Sequence, residues 1–421
     1  MTETAGAARL ATDFLSDFAT LSAFGGLPSG GVNREAATDA DGQQRAWFAG
    51  WLRDRGAIVA VDPIGNIFGL WELVPGAPYV LAGSHLDSQP YAGRFDGAYG
   101  VLAAAHAVHA IVERVRAGAA ATPRYNLAVV DWFNEEGSRF QPSMMGSAVH
   151  IGQLPLEHAL AVRDRAGIDV RSALQRIGGA GEDEAPPVAA YAEIHVEQGR
   201  HLEEAGIPIG LVDGTWAARK YRIRVIGEQA HTGPTPMADR RDALYGAALL
   251  TVEARRLADA HRDAPLHTSV AEIDVLPNSP VVVAREARIL LDLRTPDEAA
   301  LRLAAASLEA SFARIEAEAK VEIEWTLEHS WGLRPFLPDG VRLGAEVADE
   351  LGLPHLALKT VAGHDSTNMK EVVPTVMLFV PSVNGVSHNE LELTRDEDLV
   401  AGLRVLTGVV ERLARGGLDA D

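Results

Sequence analysis

Three histidines and two acidic residues of this chain each sit in a short segment suited to a metal ligand. His85 lies in Gly83-Ser84-His85-Leu86-Asp87, Asp96 in Gly93-Arg94-Phe95-Asp96-Gly97, and Glu136 in Asn134-Glu135-Glu136-Gly137. His195 lies in Glu193-Ile194-His195-Val196-Glu197-Gln198-Gly199, and His388 in Gly385-Val386-Ser387-His388-Asn389-Glu390. Imidazoles combined with carboxylates suit a pair of borderline divalent ions, zinc or else manganese, cobalt or nickel. A carboxylate is the natural bridge between two ions about 3.5–4 Å apart, because each oxygen can serve one of them. Asp96, in a loop with Gly93, Gly97 and Gly100, is assigned that role. Adjacent carboxylates point differently, so Glu135 and Glu136 cannot be equivalent ligands. Glu136 is read as the ligand and Glu135 as the general base for a metal-activated water. Asp87, two residues from His85 on an extended segment, faces the same side and can hold the far imidazole nitrogen.

The bland readings stand beside these. A glutamate pair is common on solvated helix faces, but this one follows an apolar strand and precedes Gly137-Ser138-Arg139-Phe140. Most histidines are structural or exposed, and His106, His150 and His329 are read that way. Spacing alone does not close the ligand set, since no HExxH or comparably compact motif occurs.

The elements that must position these groups come in two textures. A helix is predicted over 5–24, with Leu10, Phe14, Phe18 and Leu21 on one face, and another over 38–55, capped near Thr38 or Asp39. Short apolar strands then alternate with helices: Ala57–Val61, Ile67–Leu70, Tyr79–Gly83, a helix over 99–116, and Tyr125–Trp132. That alternation indicates an α/β layer with a largely parallel sheet. His85 and the two glutamates follow its strands, where such sheets place their ligands. From about Gly214 the order becomes βαββαβ: Tyr221–Ile226, a helix over 239–259, strands at 267–275 and 281–293, a helix over 297–314, and a strand at 321–327. This predicts an α+β domain over 215–329, inserted into a mixed-sheet catalytic domain formed by 1–214 and 330–421. The insertion follows because Thr375–Val380 and His388 must rejoin the other ligands.

Composition narrows the function. With 421 residues there is room for two cores. A net charge of −20 repels nucleic acid. No apolar run is long enough for a bilayer, and the first residues lack the basic start and apolar stretch of a secretory signal, so a cytoplasmic location is expected. The absence of cysteine excludes disulfides and thiolate ligands.

Taken together, Gly83-Ser84-His85-Leu86-Asp87-Ser88-Gln89-Pro90, Gly93-Arg94-Phe95-Asp96-Gly97, Asn134-Glu135-Glu136-Gly137-Ser138-Arg139-Phe140 and His195-Val196-Glu197-Gln198-Gly199 resemble the amidase, hydantoinase and carbamoylase branch of the M20 metallopeptidase family. Ala230-His231-Thr232-Gly233-Pro234-Thr235-Pro236-Met237, Arg241-Asp242-Ala243-Leu244, Gly363-His364-Asp365 and Phe379-Val380-Pro381-Ser382 leading to His388 agree, so the resemblance runs from about residue 23 to 395. It implies a phosphorylase/hydrolase-like catalytic fold with a lid that also forms a homodimer. It implies one ion on His85, His195 and Asp96, and a second on Asp96, Glu136 and His388, with Glu135 as the base. His231 would stabilise the developing oxyanion, Asn278 and Arg294 would hold a substrate carboxylate, and Gln198 and His364 would line the pocket. Some of these groups would reach across from a partner subunit.

Independent chemistry supports parts of this. Arginine is the preferred bidentate partner of a carboxylate, although Arg294 could instead pair with Asp292 or Asp297. Asn278, between prolines, could be a turn residue only. The leading expectation is a hydrolase of an N-carbamoyl amino acid, a small substrate with a free carboxylate. Allantoate, N-carbamoyl-β-alanine and N-acyl amino acids or dipeptides compete. A non-catalytic binding module would have lost a ligand or the base, and none is missing. A nucleotide-binding protein would need a phosphate loop, and none occurs.

Overall fold

The computed structural model describes residues 3–261 and 265–419. The chain forms two compact units. One runs through Asp213 and resumes over Phe336–Leu358 and from Gly363; the other is Gly214–Pro335 with Lys359–Ala362.

The first unit is built on an eight-stranded mixed sheet. Its order across the sheet is Ile58–Val61, Ile67–Trp71, Asn126–Trp132, Tyr79–His85, Val188–Val196, Thr375–Val380, Ile209–Thr215 and His355–Thr360. The four strands from Asn126–Trp132 to Thr375–Val380 are mutually parallel. Ile58–Val61 with Ile67–Trp71, Ile67–Trp71 with Asn126–Trp132, and Thr375–Val380 with Ile209–Thr215 pair antiparallel on either side of them. Both faces are covered, which is why these strands read as nearly unbroken apolar runs. Val80, Ala82, Leu127, Val129, Ile194 and Leu378 share a core with the helices Ala98–Arg116 and Asp396–Ala414. Leu81, Ala128, Val130 and Tyr191 join a different cluster that includes Met369. The helix Asp39–Asp54 starts at Thr38, whose hydroxyl accepts the Asp41 N–H at 3.3 Å.

In the second unit a four-stranded antiparallel sheet runs Glu322–Trp331, Ala217–Ile226, Glu286–Thr295, His267–Leu276. Alternation along Ala217–Ile226 buries Tyr221, Ile223 and Val225 with residues of the helices Ala243–Ala260 and Glu298–Ala319, leaving Arg222 and Arg224 exposed. The single strand expected over 281–293 is two. Val282–Val283 pairs with Ala230–His231, and Glu286–Thr295 enters the main sheet. Between them the carbonyls of Ala284 and Arg285 accept the amides of Ala243 and Gly227, which takes the chain out of a continuous ladder. Among the described residues no helix is long and apolar enough to cross a membrane.

Candidate metal centre and substrate-contact residues

Parallel pairing brings the carboxyl ends of neighbouring strands to one edge of the sheet. His85, the last residue of its strand, is in register with Trp132, and His195 is in register with Phe379. The loops leaving these strands carry Asp96, the two glutamates and His388.

These five side chains converge. Two groups of three have potential ligand atoms within 4.8 Å of one another: His85, Asp96 and His195, and then Asp96, Glu136 and His388. Asp96 belongs to both. Its Oδ1 lies 3.4 Å from His85 Nε2 and 2.9 Å from His195 Nε2, while its Oδ2 lies 3.3 Å from His388 Nε2. Glu136 Oε2 is 3.4 Å from the same His388 nitrogen. The ring nitrogens are already sorted for this task. His85 Nδ1 lies 2.9 Å from the Asp87 carbonyl and His195 Nδ1 lies 2.8 Å from the Val196 carbonyl. Those carbonyls can only accept, so each Nδ1 carries a proton and each Nε2 is the ring nitrogen turned toward Asp96, free to ligate once deprotonated. The donor set therefore fits two borderline divalent ions sharing a carboxylate. Packing here is tight: a Cβ on Gly97 would come within 2.4 Å of the His85 ring, so only glycine fits.

Asp87 has a different task from the one expected of its carboxylate. Its main-chain oxygen, not its side chain, meets His85, with Oδ1 3.7 Å from the ring. The carboxylate accepts the amide N–H groups of Glu135 at 3.1 Å and Glu136 at 3.3 Å, fixing the backbone of the glutamate pair. Asn66 assists by accepting the Phe133 N–H at 2.9 Å. Glu136 is aimed by Gln89, whose side chain donates to Oε2 at 2.8 Å.

Glu135 is 6% exposed, with Oε2 3.5 Å from His85 Nε2. Burial pushes its carboxyl well above the usual range, and Asp365, Glu136 and Asp96 push the same way against His85. Burial also acts on Asp96, but His195 and hydrogen bonds from three imidazoles hold it well below the ordinary value. The site thus contains one carboxylate kept ionised and another with raised proton affinity, a division of labour suited to ligand and base. His364 is buried with its ring 4.5 Å from that of His195, and its Nε2 has no partner. Burial, then the charge of His195, keeps it neutral. Gln198 has positive φ, and its Nε2 donates to Asp96 Oδ2 at 2.7 Å, leaving its Oε1 without a partner.

The second unit does not gather its three expected residues. His231 and Asn278 are exposed and lie near the end of the sheet where Glu286 pairs with Leu276. Arg294 pairs with His267 at the other end. Eight residues of strand separate the two ends, roughly 26 Å. Arg294 Nε and Nη2 both contact Asp292 Oδ2, at 2.7 and 2.6 Å, and Nη1 donates to the Val361 carbonyl at 2.8 Å. The pairing with Asp292 is therefore present, and it leaves one N–H on each terminal nitrogen. His231 Nδ1 accepts the Gly233 N–H at 3.0 Å, so its proton sits on the outward Nε2.

Gln89 and Glu392 received no role from the sequence, although both lie within four residues of an assigned group. Their signal was their company in the loops rather than any spacing of their own.

The model of peptidase family M20/M25/M40 matches residues 81–412. A Mycolicibacterium smegmatis protein, whose name specifies no substrate, is 55% identical over 97% of this chain and 94% of its own. An N-carbamoyl-L-amino-acid amidohydrolase of Rhizobium meliloti is 35% identical over 90% of each chain. The crystal structure of a hydantoinase/carbamoylase family amidase from Burkholderia vietnamiensis superposes with a TM-score of 0.90 at 35% identity, covering 96% of this chain and 97% of that one. The geometry and these likenesses agree, and the chain belongs to the hydantoinase/carbamoylase amidase branch of the M20 peptidase family, a family of metal-dependent hydrolases.

Proposed function

We propose that this amidohydrolase cleaves the ureido C–N bond of an N-carbamoyl amino acid, releasing the amino acid, carbon dioxide and ammonia. The observation that carries the reading is the sharing of Asp96 between two ligand clusters, with Glu135 3.5 Å from His85 Nε2. Two divalent ions bound there would acidify the attacking water and polarise the scissile carbonyl. Glu135 takes the proton from that water and returns it to the leaving nitrogen, a task its raised proton affinity favours. Glu136, held by Gln89, stays a ligand. His364, kept neutral by burial, offers a hydrogen bond to the carbamoyl group without adding charge.

His231 presents an N–H donor suited to the developing oxyanion, and such a donor is worth about 3–4 kcal/mol of barrier. Arg294, with Asp292 behind it, takes the substrate carboxylate on its two remaining N–H groups, and Asn278 adds a polar contact. His231, paired with Val282, lies near the Glu286 end of the four-stranded sheet and Arg294 at its other end, which favours a substrate that draws them from different subunits of a homodimer.

The deciding test is turnover of the metal-loaded protein on the carbamoyl, acetyl and ureido derivatives of one series of acids. Carbamoyl amino acids should be the best substrates; preference for allantoate, carbamoyl-β-alanine or acetyl derivatives would reject the assignment. Glu135→Gln should retain metal yet lose roughly 10²–10⁴-fold in turnover or more. Near-normal turnover in that metal-replete variant would remove Glu135 from the mechanism.

A further inference from the structure

The loop that carries His388 returns a second carboxylate to the metal cluster. Glu392 is 5% exposed, and its two oxygens serve different segments. Oε1 accepts the amide N–H groups of Phe95 at 3.2 Å and Asp96 at 3.0 Å. Oε2 accepts the Ser387 hydroxyl at 3.2 Å. Ser387 itself stands 3.4 Å from Asp96 Oδ2 and receives Gln198 Nε2 at 3.1 Å. One side chain thus spans the loop of the shared ligand and the residue next to His388, nearly 300 positions apart in sequence. The chain makes room for it. A Cβ on Gly93 would lie 2.3 Å from Glu392 Cβ and 2.4 Å from its Cδ. Burying a carboxylate costs several kcal/mol unless donors surround it, and three donors from two loops do so here.

We propose that Glu392 is a positioning residue: it locks the Asp96 loop to the His388 loop and thereby sets the separation of the two metal clusters. The inference rests on the two-ion reading above. Its mechanism is span. Asp96 can serve both clusters only while its backbone is held against Ser387-His388, and the carboxyl of Glu392 is the tie. A residue one methylene shorter cannot reach both loops. Glutamine can, since its oxygen can take the two amides and its N–H can meet the Ser387 hydroxyl.

The test is divalent-ion uptake by metal-free full-length protein, in competition with a chelator, alongside thermal unfolding of the metal-free forms. Wild type should take up two ions per chain. Glu392→Ala and Glu392→Asp should lower affinity by roughly 10–100-fold, and kcat should fall with it, while Glu392→Gln restores uptake to near the wild-type level. Ser387→Ala, which removes the His388 side of the tie while leaving the Glu392 bonds to the Phe95 and Asp96 amides, should also weaken ion uptake, though less than Glu392→Ala. Folded Ala and Asp variants that bind both ions as wild type does would overturn the proposal. So would a Gln variant as weak as Ala, which would make charge rather than span the property that matters. Should the Ala variant fail to fold, Asp and Ser387→Ala decide: normal binding by both overturns it, weakened binding supports it. A wild-type chain that takes up no pair of ions would overturn the two-ion reading and this inference together, and is recognised without any variant.

Discussion

Protonation at the cluster decides how tightly ions are held. In the metal-free protein, burial works against a charge on His388. The hydrogen bond to Asp96 and the charges of Glu136 and Asp96 outweigh it and carry the pKa up to about 9. His85 is raised by the same kind of balance, with Glu135 and Asp96 prevailing over burial. A raised value means that these rings hold protons at neutral pH, whereas a ligand imidazole must be neutral. Ion binding at pH 7.5 should therefore expel protons. Affinity should weaken as the solution is acidified below about pH 9, by about tenfold per unit for each proton displaced. Calorimetric titration in buffers of different ionisation enthalpy measures this directly. Uptake with no proton release would mean that His388 and His85 do not ligate. Residue types and their immediate neighbours made the converging cluster legible. The role of Asp87 was not, because which of its oxygens meets His85 depends on where the strand ends. Gln89 and Glu392 were hidden for a related reason: a second-layer hydrogen bond needs only a donor or acceptor, which any polar residue supplies.

The element that fixes His85 is the helix Asp39–Asp54. Arg45 Nη1 pairs with Asp131 Oδ2 at 2.7 Å, with both side chains at most 5% exposed. Asp131 Oδ1 accepts the Leu86 N–H at 2.9 Å, and Gln44 Nε2 donates to the Leu86 carbonyl at 2.8 Å. The residue after His85 is thus gripped on both its peptide groups. Burial pushes Asp131 up to about 7, with Arg45 opposing it. Arg45→Met would leave that carboxyl without its cation and should destabilise the protein by about 3–5 kcal/mol. The urea midpoint should fall at constant slope. Adding Asp131→Leu should recover much of the loss; a double variant as unstable as the single would show that the pair is not what matters. Helices and strands themselves were largely readable from periodicity, because apolar faces must be buried wherever the element ends up. Two features were not. The break between Val283 and Glu286 depends on amides of Gly227 and Ala243, and the return of Lys359–Ala362 to the second unit depends on contacts across more than a hundred residues.

At the scale of the whole molecule, the second unit raises a question that one chain cannot answer alone. His231 lies near one end of the four-stranded sheet and Arg294 at the other, ends that eight strand residues set roughly 26 Å apart, yet both are proposed to contact one small substrate. Arg294→Ala should chiefly raise KM for substrates with a free carboxylate and change esterified analogues little. Equal loss on both kinds would reject the clamp. His231→Ala should chiefly lower kcat. If each site draws these groups from different copies, the two impaired variants should complement each other when assayed at substrate well below the raised KM. A dimer containing one chain of each kind has one site lacking both groups and one site that is intact. Random exchange makes half the dimers mixed, so the recovered activity should approach about a quarter of the wild-type value. Mixing, partial unfolding and reassociation of the two variants, followed by an activity assay, measures it. If both groups served the site of their own chain, every site in the mixture would lack one of them and activity would stay at the level of the separate variants. Recovery near one quarter would identify a site shared between subunits, as proposed.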